Sequence, residues 1–158
     1  NDGTILSKQQ VLDMAKNYKY LIVDEAYGDF ANESVIDEHV DNIIVLKTLS
    51  KSYAIPGVRF GWCIANQDVI KYLRKYRPIC ATMPEQTLKK ILNDIPNHAQ
   101  RMIETRDFLE KEYDCVPSKS NYVLFKQPNK YTEKFGYKGV NGLYRMSLID
   151  METLNEFA

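Results

Sequence analysis

Two short apolar runs that each end abruptly in polar residues are the feature that most constrains the fold. The run from Tyr20 to Val23 stops at Asp24, and the run from Asn42 to Leu46 stops at Lys47. Short continuous apolar runs are typical of strands covered on both faces, as in the sheets of α/β proteins. Such sheets bind ligands at the carboxyl ends of their strands. The runs therefore predict an α/β sheet with reactive side chains at one edge.

Capping signals and apolar periodicity predict the other elements. Ser7 begins a capping box, and the apolar residues after it are spaced for a helix over 8–18. The run over 58–65 predicts a third strand, and Asn66 predicts the cap of the helix that follows. Later signals predict helices over 85–94 and 98–112, strands over 122–125 and 143–148, and a terminal helix capped by Asp150.

The order of these elements divides the chain into two regions. Residues 1–96 carry the strands and helices of an α/β domain, whose sheet we predict to be mixed and mostly parallel. The elements predicted in residues 97–158 indicate a small α+β domain, and we place the boundary between the two domains near 97–112.

The balance of positive and negative charges excludes partners that would bind through a large net charge of the protein. The 158 residues include 21 basic and 21 acidic side chains, so we expect neither nucleic acid nor an anionic membrane as a partner. No apolar run reaches the roughly 18 residues that a membrane span needs, and the first residues do not resemble a secretion signal. These features predict a cytoplasmic protein that binds a charged ligand at a local site.

The cysteines and histidines of the sequence do not form a metal-binding motif. Cys63, Cys80 and Cys115 are far apart and form no CxxC pair, which suits a reducing compartment, and we expect all three in the core. His39 and His98 have no neighbouring residues of the kind that bind metal with them. We therefore predict no metal ion.

Five side chains with complementary chemistry follow the first two predicted strands. They are the carboxylate of Asp24, the phenol of Tyr27, the hydroxyl of Ser50, the amine of Lys51 and the guanidinium of Arg59. Together they suit a ligand with a protonated ring nitrogen, a phenolate-like oxygen, an aldehyde and a phosphate. Pyridoxal 5'-phosphate has all four groups, and a carboxylate beside its pyridine nitrogen would favour the protonated ring.

The segments around these residues resemble a known family. Residues 21–30 (LIVDEAYGDF) and 48–61 (TLSKSYAIPGVRFG) are similar to fold-type-I pyridoxal-phosphate aminotransferases, in the branch of histidinol-phosphate aminotransferase and threonine-phosphate decarboxylase. The resemblance implies that residues 1–96 are part of the large cofactor-binding domain, and that 97–158 are part of the small domain.

The resemblance also implies a role for each residue. Lys51 would be the catalytic lysine that forms a Schiff base with the cofactor, and Asp24 would pair with the pyridine nitrogen. Tyr27 would donate a hydrogen bond to the ring oxygen, while Ser50 and Arg59 would bind the phosphate.

Further expectations come from outside these two segments. Arg145, in the segment 143–148, would bind the substrate α-carboxylate as the corresponding arginine of the family does. Asn1 would match an asparagine near the cofactor, although the proline that follows it in the family is absent here. The family's site lies at a subunit interface, which implies a homodimer.

The reaction implied is transamination between an amino acid, histidinol-phosphate-like or other, and a 2-oxo acid. Both substrates are small molecules. A decarboxylase of the threonine-phosphate type is the alternative, because the same Lys51 would serve it. A third hypothesis, of another class, is an inactive fragment that acts as an interaction module.

Overall fold

The computed structural model describes residues 2–76, 84–94 and 97–157. These residues group into two compact units. The first runs from residue 6 to the end of the helix that closes at residue 94, and the second comprises residues 2–5 and 97–157. Within the described segments, no helix is both long and apolar enough to cross a membrane.

The first unit alternates helices with strands, as the apolar runs predict. In chain order its helices and strands are α1 (Lys8–Ala15), β1 (Leu21–Asp24), α2 (Gly28–Ala31), β2 (Ile43–Thr48), α3 (Leu49–Ser52), β3 (Gly61–Ile64), α4 (Gln67–Arg74) and α5 (Glu85–Asp94). Two 3-10 turns, Ile36–Glu38 and Pro56–Val58, lie in the connections between them.

The three strands of this unit form a mixed sheet in the order β1-β2-β3. Strands β1 and β2 are parallel, with Leu21 opposite Ile43. Strand β3 is antiparallel to β2, with Gly61 opposite Thr48. A mixed sheet was expected, but the described strands provide one parallel and one antiparallel pair rather than a parallel majority.

Only one face of this sheet is covered by the described residues. Val11 and Ala15 of α1 pack with Ile43 and Val45, and the buried side chains form the core of the unit. On the opposite face Ile22 is 63% exposed. The expectation that these strands are covered on both faces is therefore wrong for the described chain, because α1 packs on one side only.

The second unit contains α6 (His98–Glu112), β4 (Cys115–Val116), β5 (Tyr122–Phe125), α7 (Lys130–Phe135), β6 (Gly136–Lys138), β7 (Tyr144–Ser147) and α8 (Met151–Asn155). Its four strands form an antiparallel sheet in the order β4-β5-β7-β6. Its core consists of buried residues from α6, α7, α8 and the central strands, among them Leu109, Phe125, Met146 and Leu154.

Several local predictions are confirmed and some are wrong. Asn66 and Asp150 cap α4 and α8 as expected, each by accepting a hydrogen bond from a backbone amide of the helix. Helix α1 ends at Ala15, earlier than residue 18. Elements α7 and β6 were not predicted, although Asn129 forms a capping box at the start of α7.

The predicted burial of the cysteines is only partly confirmed. The half-buried Cys115 packs against the core of the second unit, and burial is the main reason that its thiol pKa rises to about 12. Cys63 is half-buried on β3, outside the core. Cys80 lies outside the described residues.

Candidate functional site

The candidate site lies at the carboxyl ends of β1 and β2, where the sequence places its polar residues. Asp24 is the last residue of β1, and α3, which carries Ser50 and Lys51, begins immediately after β2. The two strands are parallel and Asp24 is opposite Leu46, so both strands deliver these side chains to the same edge.

Lys51 and Tyr27 are brought together at this edge. The Nζ atom of Lys51 lies 5.6 Å from the centroid of the Tyr27 ring, within the range of a cation–π contact. Both side chains are half-buried. The backbone amide of Ser50 donates to Oγ1 of Thr48, the N-cap of α3, at 3.1 Å, which fixes the start of the turn that carries Lys51.

Asp24 is exposed and held by its own loop. Its Oδ1 atom accepts a hydrogen bond from the backbone amide of Ala26 at 3.0 Å. A carboxylate that bonds the backbone two residues on forms an Asx turn. This turn ends the strand and directs the chain towards Tyr27.

Ser50 lies in α3, and Arg59 lies in the loop that leads from α3 to β3. The hydroxyl of Thr48 lies 3.0 Å from the Ser50 hydroxyl and 3.0 Å from the Phe60 carbonyl, to which it donates. The amide of Leu49 donates to the same carbonyl at 3.2 Å. These bonds place the Arg59 segment beside the start of α3.

Arg59 has an uncommon backbone conformation. Its φ of 53° is left-handed, and its Nη1 atom donates to the Pro56 carbonyl at 3.0 Å. Ala54, in the same loop, has the same φ. Left-handed non-glycine residues cost about 1–3 kcal/mol each and are concentrated at ligand-binding sites. The exposed guanidinium of Arg59 therefore belongs to a loop with local strain.

A polar network beside these residues was not predicted. The Nζ atom of Lys47, on β2, lies 2.7 Å from Oδ1 of Asp29 and 3.7 Å from Oε2 of Glu25. Burial acts to raise the pKa of Asp29, but hydrogen bonds from Lys47 and Ser52 and the charge of Lys47 outweigh it, so the pKa is lowered. The available signal was a lysine at a position of β2 that shares the inward face with Ile43 and Val45.

Arg145, the predicted substrate ligand, lies on β7 in the second unit. It is opposite Leu124 of β5, and its guanidinium carbon lies 3.9 Å from the centroid of the buried Tyr122 ring. The stacking orients a planar donor group. Asn1 lies outside the described residues, so its predicted role stays a prediction.

The described residues contain no group of three or more histidine, cysteine or acidic side chains that could hold a metal ion.

Comparison with known proteins places these segments in a family context. The model of the family "Aminotransferase class I and II" matches residues 1–154. Histidinol-phosphate aminotransferase of Rhodopirellula baltica is 34% identical over 152 residues, which cover 85% of this chain and 41% of that protein. The enzyme of the same name from Flavobacterium johnsoniae is 32% identical over 160 residues, covering 87% of this chain and 45% of that protein. The chain thus spans less than half the length of these relatives.

Solved structures show the same fold. Histidinol-phosphate aminotransferase from Sinorhizobium meliloti, in complex with pyridoxal-5'-phosphate, superposes with a TM-score of 0.71 at 16% identity, covering 98% of this chain and 52% of that one. L-threonine-O-3-phosphate decarboxylase from Porphyromonas gingivalis superposes with a TM-score of 0.69 at 18% identity, covering 99% of this chain and 59% of that one.

Proposed function

Since the chain belongs to the class I and II aminotransferases, we propose that it supplies the cofactor lysine, Lys51, of a pyridoxal-phosphate-dependent aminotransferase. The observation that carries this proposal is the contact between the Lys51 amine and the Tyr27 ring, at the edge where Asp24 ends β1. An amine, a phenol and a carboxylate at one sheet edge match the groups of this cofactor.

The donor set fits pyridoxal 5'-phosphate in chemistry and in accessibility. Asp24 is exposed at its strand end, and Lys51 and Tyr27 are half-buried beside it. The exposed guanidinium of Arg59 and the hydroxyl of Ser50 suit phosphate oxygens, which a planar guanidinium can bind with two donors. We propose that these five residues hold the cofactor, with Lys51 attached to its aldehyde carbon.

Each side chain then has a distinct task. When bound, pyridoxal phosphate supplies a sink for the electrons left at the substrate α-carbon. The carboxylate of Asp24 would hold a proton on the pyridine nitrogen, and the Tyr27 hydroxyl would donate to the ring oxygen. The Nζ atom of Lys51, as a free amine, would be the base that takes the substrate α-proton and returns it.

The substrates we propose are an amino acid and a 2-oxo acid. Arg145 would bind the substrate α-carboxylate with its planar guanidinium, which already stacks on Tyr122. The relatives' name makes a histidinol-phosphate-like amino donor the first compound to test. A cytoplasmic homodimer remains part of this proposal, on the basis of the family resemblance.

A decarboxylase is the second candidate, favoured by the likeness to the threonine-phosphate decarboxylase structure. Both reactions would use Lys51, and they differ in which bond of the α-carbon the protein orients for cleavage. Measuring 2-oxo acid formation and carbon dioxide release from the same amino acid separates them.

The test of the cofactor site is covalent trapping. The protein is mixed with pyridoxal 5'-phosphate and reduced with borohydride, and modified lysines are mapped by peptide mass spectrometry. We expect modification concentrated on Lys51 and lost in Lys51→Arg, with Lys71, an exposed lysine of α4, as the internal reference. Equal modification of Lys51 and Lys71 would contradict the proposal and favour a non-catalytic interaction module.

A further inference from the structure

A mostly buried lysine links the two segments that carry the candidate site. The Lys47 side chain is 12% exposed, and its amine lies 2.7 Å from Asp29, which is 38% exposed, and 3.7 Å from Glu25, which is 7% exposed. Buried charges persist where they are paired, because removing one partner leaves the other without compensation. Lys47 of β2 is thus tied to the segment that follows β1.

Glu25 extends this network beyond the ion pairs. Its carboxylate accepts from the Ser34 hydroxyl at 2.8 Å and from the Val35 amide at 2.9 Å, which fixes the loop after α2. The network therefore connects β2 with α2 and with the loop that follows α2.

The network adjoins both members of the Lys51–Tyr27 contact. Glu25 and Asp29 lie two residues before and two residues after Tyr27, and Lys47 is four residues before Lys51. Helix α3 has only four residues, and isolated helices of that length are not stable by themselves. Its position therefore depends on its Thr48 cap and on β2, which it follows directly.

We propose that Asp29 and Lys47 are positioning residues that hold the Lys51 amine against the Tyr27 ring. Lys47 pairs with Asp29 and Glu25 on the two sides of Tyr27, and β2, which carries Lys47, continues directly into the turn that presents Lys51. Describing Lys51 as the cofactor lysine rests on the function proposed above, whereas its placement by the network does not.

The test compares two reactions of the Lys51 amine, one that depends on its orientation and one that depends only on its exposure. Trapping by pyridoxal 5'-phosphate needs an oriented amine, whereas acetylation by a small activated ester needs only an exposed one. In Asp29→Asn we expect the rate of trapping at Lys51 to fall by about tenfold or more, since small displacements of a reacting group carry penalties of that order. We expect acetylation of Lys51, relative to Lys71, to rise because the Tyr27 ring is held less firmly beside its amine.

Further variants separate positioning from a general loss of stability. Lys47→Met should lower the trapping rate at least as much as Asp29→Asn, because it also removes the partner of Glu25. The double variant should match Lys47→Met, because residues of one pair do not contribute independently. Asp29→Glu and Lys47→Arg should keep most of the trapping rate. Lys8→Met is the matched control, since it removes an ion pair with Glu38 of similar length, 2.9 Å, elsewhere in the unit.

The outcomes distinguish this inference from the proposed function. If wild-type Lys51 is not trapped selectively, the function is wrong, and the acetylation ratio alone then decides on the positioning role. If wild-type Lys51 is trapped and Asp29→Asn behaves like Lys8→Met in both reactions, the inference is wrong. Additive effects in the double variant would also overturn it.

Discussion

The amine of Lys51 lies 5.6 Å from the centre of the Tyr27 ring, although 24 positions separate the two residues. A cation in this position is attracted to an aromatic ring by about 0.5–1 kcal/mol at an exposed site. The parallel pairing of β1 and β2 creates the contact, because each residue follows the carboxyl end of one strand. The Tyr27 ring thus helps to orient the amine, whereas the role proposed for its hydroxyl is a separate one.

Tyr27→Phe separates these two contributions. The variant keeps the ring beside Lys51 and removes the hydroxyl, so Lys51 should still be trapped by pyridoxal 5'-phosphate and borohydride. Loss of one hydrogen bond to a charged oxygen should weaken cofactor binding by about 1.5–3 kcal/mol, which is roughly tenfold to a hundredfold in Kd. Equilibrium titration followed by cofactor absorbance measures this. An unchanged Kd would show that the Tyr27 hydroxyl does not bind the cofactor.

The ion pair of Asp29 predicts a pH dependence of stability. The pKa of Asp29 in the folded protein is below its ordinary value of 3.8, so its carboxylate stabilises the fold above that pH. This contribution is lost as the pH falls through the lowered pKa. The stability difference between wild type and Asp29→Asn should therefore be constant from neutral pH down to about pH 5 and then shrink.

Urea unfolding of both proteins at a series of pH values measures that difference. A difference that grows on acidification would show that the sign of the pKa shift is wrong. Asp68→Asn provides the control, because the Asp68 side chain is 92% exposed beside Lys71, and exposed ion pairs contribute little.

The core of the second unit gives a prediction that is independent of any cofactor. Leu109 of α6 is fully buried among core side chains, whereas its neighbour Phe108 is 36% exposed. Leu109→Ala should lower the free energy of unfolding by about 2–5 kcal/mol, because it removes buried methyl groups and leaves a cavity. Phe108→Ala should lower the free energy of unfolding by clearly less than Leu109→Ala does. Equal losses in urea unfolding would contradict the described packing.

The sequence predicted the strands of the site well because their apolar runs end abruptly. The run that stops at Asp24 and the run that stops at Lys47 correspond to β1 and β2, and both ends lie at one edge. Helix α7 was not predicted, because its apolar residues are too few for a clear period. Its capping residue, Asn129, was the available signal.

The polar network could not be predicted because it depends on tertiary contacts. A lysine near the end of a strand is usually solvated, and only the fold shows that Lys47 faces Glu25 and Asp29. In the same way, an apolar run does not show which of its faces is covered. Ile22 and Val23 are neighbours in such a run, yet Ile22 is largely exposed while Val23 packs against the core.

Arg145 provides the prediction that concerns the substrate. Its guanidinium lies 3.9 Å from the Tyr122 ring, and a lysine would keep the charge while losing the planar donor pair and much of the stacking. Arg145→Lys should weaken binding of the amino-acid substrate by about tenfold or more. Trapping of pyridoxal 5'-phosphate at Lys51 should stay unchanged, because the cofactor residues belong to another unit. Titration with the amino acid, followed by cofactor absorbance, measures the first effect. If Arg145→Lys binds the amino acid as tightly as wild type, a different residue must bind the α-carboxylate.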